Sequence, residues 1–151
     1  MNIIFLDIDG VLNNINNLIR ISKKTHKSYS GCEYPFDEEN LSNLKHLVDI
    51  TNSKIVITSS WRKHDNHLKV LFNKFKEYNL DKEIIGYTPI LNTKRGIEIK
   101  EYLKRNNISC NFIILDDDRD MEDLLDHLIL TSTYEGLTKE KTEEAIIRLS
   151  K

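Results

Sequence analysis

Cysteine and proline occur only twice each in the 151 residues, glycine five times and tryptophan once. Cys32 and Cys110 stand far apart, without a redox or zinc-type spacing, so both are expected as free thiols in a reducing, cytoplasmic setting. Two prolines and no Gly/Ser tract leave no interdomain linker, and there is no internal repeat, so residues 1–151 read as one domain. No apolar run approaches the ~18 residues of a membrane span, and no basic-then-apolar leader opens the chain. No membrane association and no obligate protein partner are expected. A formal net charge of -2 gives the chain as a whole no basic footprint for nucleic acid, although local patches remain.

What the chain does have is acid at the ends of apolar runs. Ile3-Ile4-Phe5-Leu6 leads directly into Asp7-Ile8-Asp9-Gly10. Residues i and i+2 of a strand share a face, so Asp7 and Asp9 both address the space beyond its carboxyl end, where open α/β sheets bind ligands. Gly10 then permits a sharp turn where a side chain would crowd the site. Two neighbouring carboxyl groups suit a two-step displacement on phosphate. Asp7 serves as nucleophile, while Asp9 protonates the leaving oxygen and later deprotonates water. A calcium loop counted from Asp7 would need Glu at its twelfth position, and that position is Leu18.

Two further apolar runs end the same way. Ile55-Val56-Ile57 is followed by Thr58-Ser59-Ser60-Trp61-Arg62, and Phe112-Ile113-Ile114-Leu115 by Asp116-Asp117-Asp118-Arg119-Asp120, with Lys94-Arg95-Gly96 opening a helix between them. Gathered in one pocket, Asp7, Asp9, Asp116 and Asp117 would repel each other and a phosphate dianion, which calls for a cation; all-oxygen ligation suits Mg²⁺. A hydroxyl after the second strand would donate to a phosphoryl oxygen in the transition state. Ser59 is the first choice, on the reading that the strand uses Thr58 as its last residue, with Thr58 and Ser60 as alternatives.

These four pieces, in this order, resemble the haloacid dehalogenase superfamily of phosphohydrolases, and the resemblance spans nearly the whole chain. It implies that the Asp7 side chain, the Asp9 main-chain carbonyl and the Asp116 side chain hold the metal. Asp117 is the further ligand, with Asp118 a rival one residue on. It also implies a cation from Lys94 or Arg95 to balance the nucleophile and the transferring group. Ser59-Ser60-Trp61-Arg62, Arg95-Gly96-Ile97-Glu98, Ile114-Leu115-Asp116-Asp117-Asp118 and Glu135-Gly136-Leu137-Thr138 resemble more narrowly the small capless phosphatase domains of multi-domain RNA-repair proteins. The implied substrate is a phosphorylated one, with polynucleotide 3′ ends the leading class; nucleotides or phosphoproteins are the alternatives, and a non-catalytic binding module is the third. Gly10, Thr58, Ser60 and Arg62 are the expected substrate-binding residues. Arg20, Lys23, Lys24, His26, Lys27 and Lys63 would meet further phosphates, and Trp61 would either stack on a base or pack against the sheet. His64 and His67 lack the partner acids or cysteines of a metal site and read as a surface turn before a helix.

Strand and helix alternate along the chain, which gives an α/β fold: a three-layer, Rossmann-like α/β/α arrangement with a mainly parallel five-stranded sheet. Strands are expected at about 2–7, 54–58, 84–87, 111–115 and 128–131, and helices at about 36–51, 65–79, 95–106 and 139–149. Asp37 and Thr138 are the expected N-caps. The Asn-rich segment 13–35 is read as a flap or loop, and the intervals between motifs leave no room for a large cap domain.

Overall fold

A computed structural model describes residues 1–151. Five strands form one parallel sheet: β1 (Asn2–Leu6), β2 (Ser53–Ile57), β3 (Ile84–Tyr87), β4 (Phe112–Asp116) and β5 (Leu128–Leu130), in the order β3-β2-β1-β4-β5. Both faces of this sheet are covered, as parallel sheets require. Alternation along each strand sorts the core. Ile4, Leu6, Ile55, Ile57, Ile113 and Leu115 pack with the apolar stripes of α2 (Glu38–Thr51), α3 (Asp65–Lys76) and α5 (Lys139–Leu149). Ile3, Phe5, Val56 and Ile114 point the other way and pack with Ile99 and Tyr102 of α4 (Arg95–Arg105). Phe5 meets the rings of Tyr102 and Phe112 edge-on, at 5.8 and 5.5 Å between centroids.

The strand order reverses beside β1. The chain runs outward through β2 to β3 and returns through α4 to β4 on the other side. The carboxyl ends of β1 and β4 therefore flank the switch point, where a ligand crevice opens in such sheets. No cap domain interrupts the sequence of strands and helices. No helix is long and apolar enough to cross a membrane.

Asp37 and Thr138 cap α2 and α5: the Asp37 side chain accepts from the N–H groups of Glu39 and Asn40, and that of Thr138 from Lys141. The segment expected as a loop, 13–35, departs from its reading. An eleven-residue helix, α1 (Ile15–Thr25), occupies its first half, capped by the Asn14 side chain, which accepts from the N–H of Asn17 at 2.8 Å. The chain leaves α1 at His26 in the left-handed conformation (φ 57°). Only Asn17 of α1 is buried, so the helix adds no side chain to the apolar core. Asn14 also donates to Asp37 (2.8 Å) and Asn40 (2.9 Å), tying the start of α1 to the start of α2.

Candidate active site

Strand register brings the motif residues into one row. Leu6 is level with Ile57 on one side and Leu115 on the other. The ladder continues one step further, because the Thr58 N–H donates to Leu6 O (2.9 Å) and the Asp7 N–H to Leu115 O (3.0 Å). Thr58, Asp7 and Asp116 are thus neighbours across three adjacent strands. Pleat alternation fixes their direction: two residues beyond Val56, Phe5 and Ile114, they face the α4 side of the sheet.

Arg95, the first residue of α4, meets that row. Its Nη1 lies 3.2 Å from Asp7 Oδ2 and 2.6 Å from Asp116 Oδ2. The helix start is held there by Asp120, whose carboxylate accepts the Arg95 N–H (3.2 Å) and whose carbonyl accepts the Gly96 N–H (3.1 Å). Gly96 has to be glycine: a Cβ there would collide with the main chain of Met121. Gly10 is constrained twice over, by a left-handed φ of 80° and by the Asp117 carboxylate, which fills the space a Cβ would take.

Asp7 and Asp116 are both buried, and burial pushes both carboxyl groups above the usual carboxylate range. The Asp7 charge pushes Asp116 further up, Asp117 and Asp9 do the same to Asp7, and Arg95 pulls both back. Burial works against the Arg95 charge, but Asp7 and Asp116 outweigh it and hold the guanidinium firmly protonated. One fixed cation thus faces two acids that resist ionising together. Asp117 joins them: Asp7, Asp116 and Asp117 can each bring one carboxylate oxygen within 4.8 Å of the others. Three hard oxygen donors around a common point, two of them buried, fit a divalent metal ion.

The family described as "HAD domain in Swiss Army Knife RNA repair proteins" matches residues 3–142. The chain belongs to that family. A comparison with curated proteins finds no match. This HAD domain is of the phosphohydrolase type, and its fold has the expected Rossmann-like form without a cap.

Several site residues of the HAD motifs could be named only to within one position, and the backbone separates them. Arg95 enters the row; Lys94 turns outward and pairs with Glu122 at 3.2 Å. Asp117 joins the acid group; Asp118 is exposed, donates its N–H to Asp116 Oδ1 (3.0 Å) and accepts the Asp120 N–H. Thr58 lies beside Asp7 with its hydroxyl buried and unpartnered. Ser59, the first choice from sequence, falls on the opposite side of the pleat, and its Oγ accepts the Trp61 N–H (3.1 Å). Ser60 is exposed at the rim of the cleft described below.

Arg62 corrects an expectation outright. It was a substrate-binding candidate, yet all five of its guanidinium N–H groups are taken by protein acceptors: the carbonyls of Thr88, Thr58, Ser59 and Pro89, and the carboxylate of Glu98. It is a buried tie between the turn after β2 and the segment before α4, with nothing left for a ligand. Trp61 is likewise unavailable for stacking on a base. It is buried against Phe36 and His67, with ring centroids 5.6 and 4.9 Å away. The basic cluster of α1 does not line the site: Arg20 faces a separate groove bearing Asp37, Glu38 and Glu39, and Lys23, Lys24, His26 and Lys27 are exposed around the end of α1.

A cleft of about 410 Å³ opens beside the acid row, walled by Asp9, Asn13, Tyr34, Trp61, His64 and His67 among others, with Asp117 and Thr133 at its edge. Thr133 donates to Asp117 at 3.0 Å. Asp9 is the acid of the first motif that faces this cleft. Its Oδ1 accepts from Asn13 Nδ2 (2.8 Å) and Trp61 Nε1 (3.1 Å). Asn13, Thr133 and Tyr34 were not legible as site residues, and Trp61 was legible only as a residue that stacks on a base or packs, not as a donor to Asp9. The one available signal was the placement of Asn13 four residues beyond Asp9, and the bridge between these two residues exists only once the chain has turned at Gly10.

Proposed function

We propose that the protein is a Mg²⁺-dependent phosphomonoesterase that works through an aspartyl-phosphate on Asp7 and acts on phosphorylated polynucleotide ends. The observation carrying this reading is the row Thr58–Asp7–Asp116, closed by Arg95 on one side and adjoining Asp117 and the Asp9 cleft on the other. Asp7, Asp116 and Asp117 side chains, with the main-chain carbonyl of Asp9, would hold Mg²⁺. When bound, Mg²⁺ neutralises the acid cluster and the phosphate oxygens, which lets Asp7 act as an anion.

In the first half-reaction an Asp7 carboxylate oxygen attacks phosphorus. The bond from phosphorus to the leaving oxygen breaks, and Asp9 gives that oxygen its proton. In the second, Asp9 takes a proton from water, whose oxygen attacks the same phosphorus. The bond to Asp7 breaks, inorganic phosphate leaves, and both acids return to their starting states. Arg95 balances the charge gathering on the transferring group. Thr58, whose buried hydroxyl has no protein partner, donates to one of its oxygens.

Thr58→Val keeps shape and removes the hydroxyl; it is expected to lower kcat about 100-fold, in the range for loss of one transition-state donor. Ser59→Ala removes only a turn contact and should lower kcat by a few-fold at most. Equal losses for the two variants would return the choice to Ser59.

The family described for this chain belongs to RNA-repair proteins, and a capless site leaves the cleft open to a bulky chain end. The test is a panel of 3′- and 5′-phosphorylated oligonucleotides, mononucleotides and phosphopeptides, with Mg²⁺ and with chelator. The expected result is hydrolysis of 3′-phosphorylated oligonucleotides that chelator abolishes and Mg²⁺ restores. Turnover of small phosphates alone would remove the polynucleotide assignment. Turnover in chelator would remove the metal.

A further inference from the structure

We propose that Asn13 and Trp61 are positioning residues that fix Asp9 with its exchangeable proton on Oδ2, aimed at the leaving oxygen. This rests on the reading of Asp9 as proton donor in the first half-reaction and gives Asn13 and Trp61 a role toward that acid.

An indole N–H can donate but never accept, and an amide NH₂ likewise only donates. Both reach the same oxygen, Asp9 Oδ1, at 3.1 and 2.8 Å, and no donor reaches Oδ2. The assignment of the Asn13 amide is set by its surroundings, because its Oδ1 accepts the Gly10 N–H at 3.0 Å. With both lone pairs of Oδ1 engaged, a proton placed on that oxygen would face two N–H groups. The protonated acid therefore carries its hydrogen on Oδ2. A free carboxyl group exchanges its two oxygens by rotation; this one is held.

The holders are themselves immobile. Asn13 and Trp61 are buried, and the indole is wedged between Phe36 and an edge-on His67. Trp61 follows directly on the hydroxyl cluster of β2, and Asn13 follows the turn after β1. The segments that follow β1 and β2, two of the three strands of the row, thus each send one residue to the same carboxylate oxygen. Oδ2 is left as the free oxygen in a residue that lines the cleft, where the leaving group must lie.

Proton donation matters only where the leaving oxygen needs a proton. An alkyl phosphate, such as a phosphorylated ribose end, leaves as an alkoxide unless protonated; p-nitrophenol leaves readily as an anion. The experiment compares kcat/KM, which reports transfer to Asp7, on a 3′-phosphorylated oligonucleotide and on p-nitrophenyl phosphate. Trp61→Phe keeps the packing ring and deletes the N–H. Since Trp61 is the sole tryptophan, benzothienylalanine in its place, with sulfur for N–H, provides a second variant should the phenylalanine protein fold poorly.

General-acid catalysis contributes about 10²–10⁴-fold, so a mispositioned acid is expected to cost about 10-fold or more on the oligonucleotide and less than about 3-fold on the aryl ester. Asp9→Asn should show the same discrimination more strongly. Equal losses on both substrates, or none, in the Trp61 variants would overturn the positioning role while Asp9→Asn still discriminated. An Asp9→Asn protein that did not discriminate would instead remove the acid role on which the proposal rests.

Discussion

Asp7→Asn is expected to abolish phosphate hydrolysis, by at least about 10⁴-fold in kcat, the scale of loss seen when a covalent nucleophile is removed from an otherwise complete site. The amide keeps an oxygen for Arg95 and so should keep the local geometry. It also relieves a conflict. In the wild-type protein, burial and repulsion from neighbouring carboxylates raise the folded-state pKa values of Asp7 and Asp116 above those of the unfolded chain. The stability tied to such groups is fully present below pH about 4 and is lost as the pH climbs through their raised values. Asparagine takes one of them out of this balance. The ion-free variant should therefore melt no lower than wild type at pH 7–8, while it turns over nothing. A melting temperature well below wild type would mean that inactivity reflects unfolding, and would leave the nucleophile unproven.

Arg95→Met is the counterpart, and its effect runs in the other direction. It removes the one cation that contacts both buried acids, at 3.2 and 2.6 Å. Taking one partner from a buried ion pair costs about 3–5 kcal/mol. Proton uptake by Asp7 and Asp116 limits the loss here, so about 3 kcal/mol is expected near neutrality. For a chain of this size that is a drop of about 6–12 °C in Tm. The sign of the pH dependence follows from the same linkage. Without Arg95 both carboxyls shift further upward, so the deficit is small near pH 4, where they are protonated in either state, and grows toward pH 8. Activity should fall about 100- to 1000-fold, because charge on the transferring group loses its fixed partner. Thermal melts across pH 4–8 check the first claim, and steady-state kinetics the second. Lys94→Met, which removes a surface pair with Glu122, should change little in either assay; a loss as large as that of Arg95→Met would reverse the assignment between them.

The contrast between these adjacent residues shows what one sequence can and cannot reveal. All five strands could be read from apolar runs, most clearly β1, β2 and β4, because a parallel strand buried on both faces is nearly uniform in hydrophobicity; the edge strand β3, with Ile85 and Tyr87 exposed, gives a weaker signal. Acid or hydroxyl clusters at their ends then marked the site. Which member of a cluster points inward is a matter of pleat and register, and these depend on partners distant in sequence. Thr58 rather than Ser59 lies level with Asp7 only because Ile57 pairs with Leu6. Arg95 rather than Lys94 meets the row because α4 starts where Asp120 holds its first N–H groups.

Other residues were hidden by a different cause. Arg62 has the composition of a phosphate ligand and spends every donor on carbonyls and Glu98 that come from three separate segments. The α1 helix was masked by its asparagines, which favour caps and turns over helix interiors. Its signals were Asn14 as N-cap and the Ile15, Leu18, Ile19 spacing, too short a stripe to outweigh the surrounding polarity.

The most direct test of the whole account is to trap the covalent state. Protein mixed with p-nitrophenyl phosphate and Mg²⁺, quenched during turnover and reduced with borohydride, should carry homoserine in place of aspartate at position 7, and only there. Reduction at another acid, or an unmodified Asp7 in a protein that is visibly turning over, would contradict an aspartyl-phosphate on this residue.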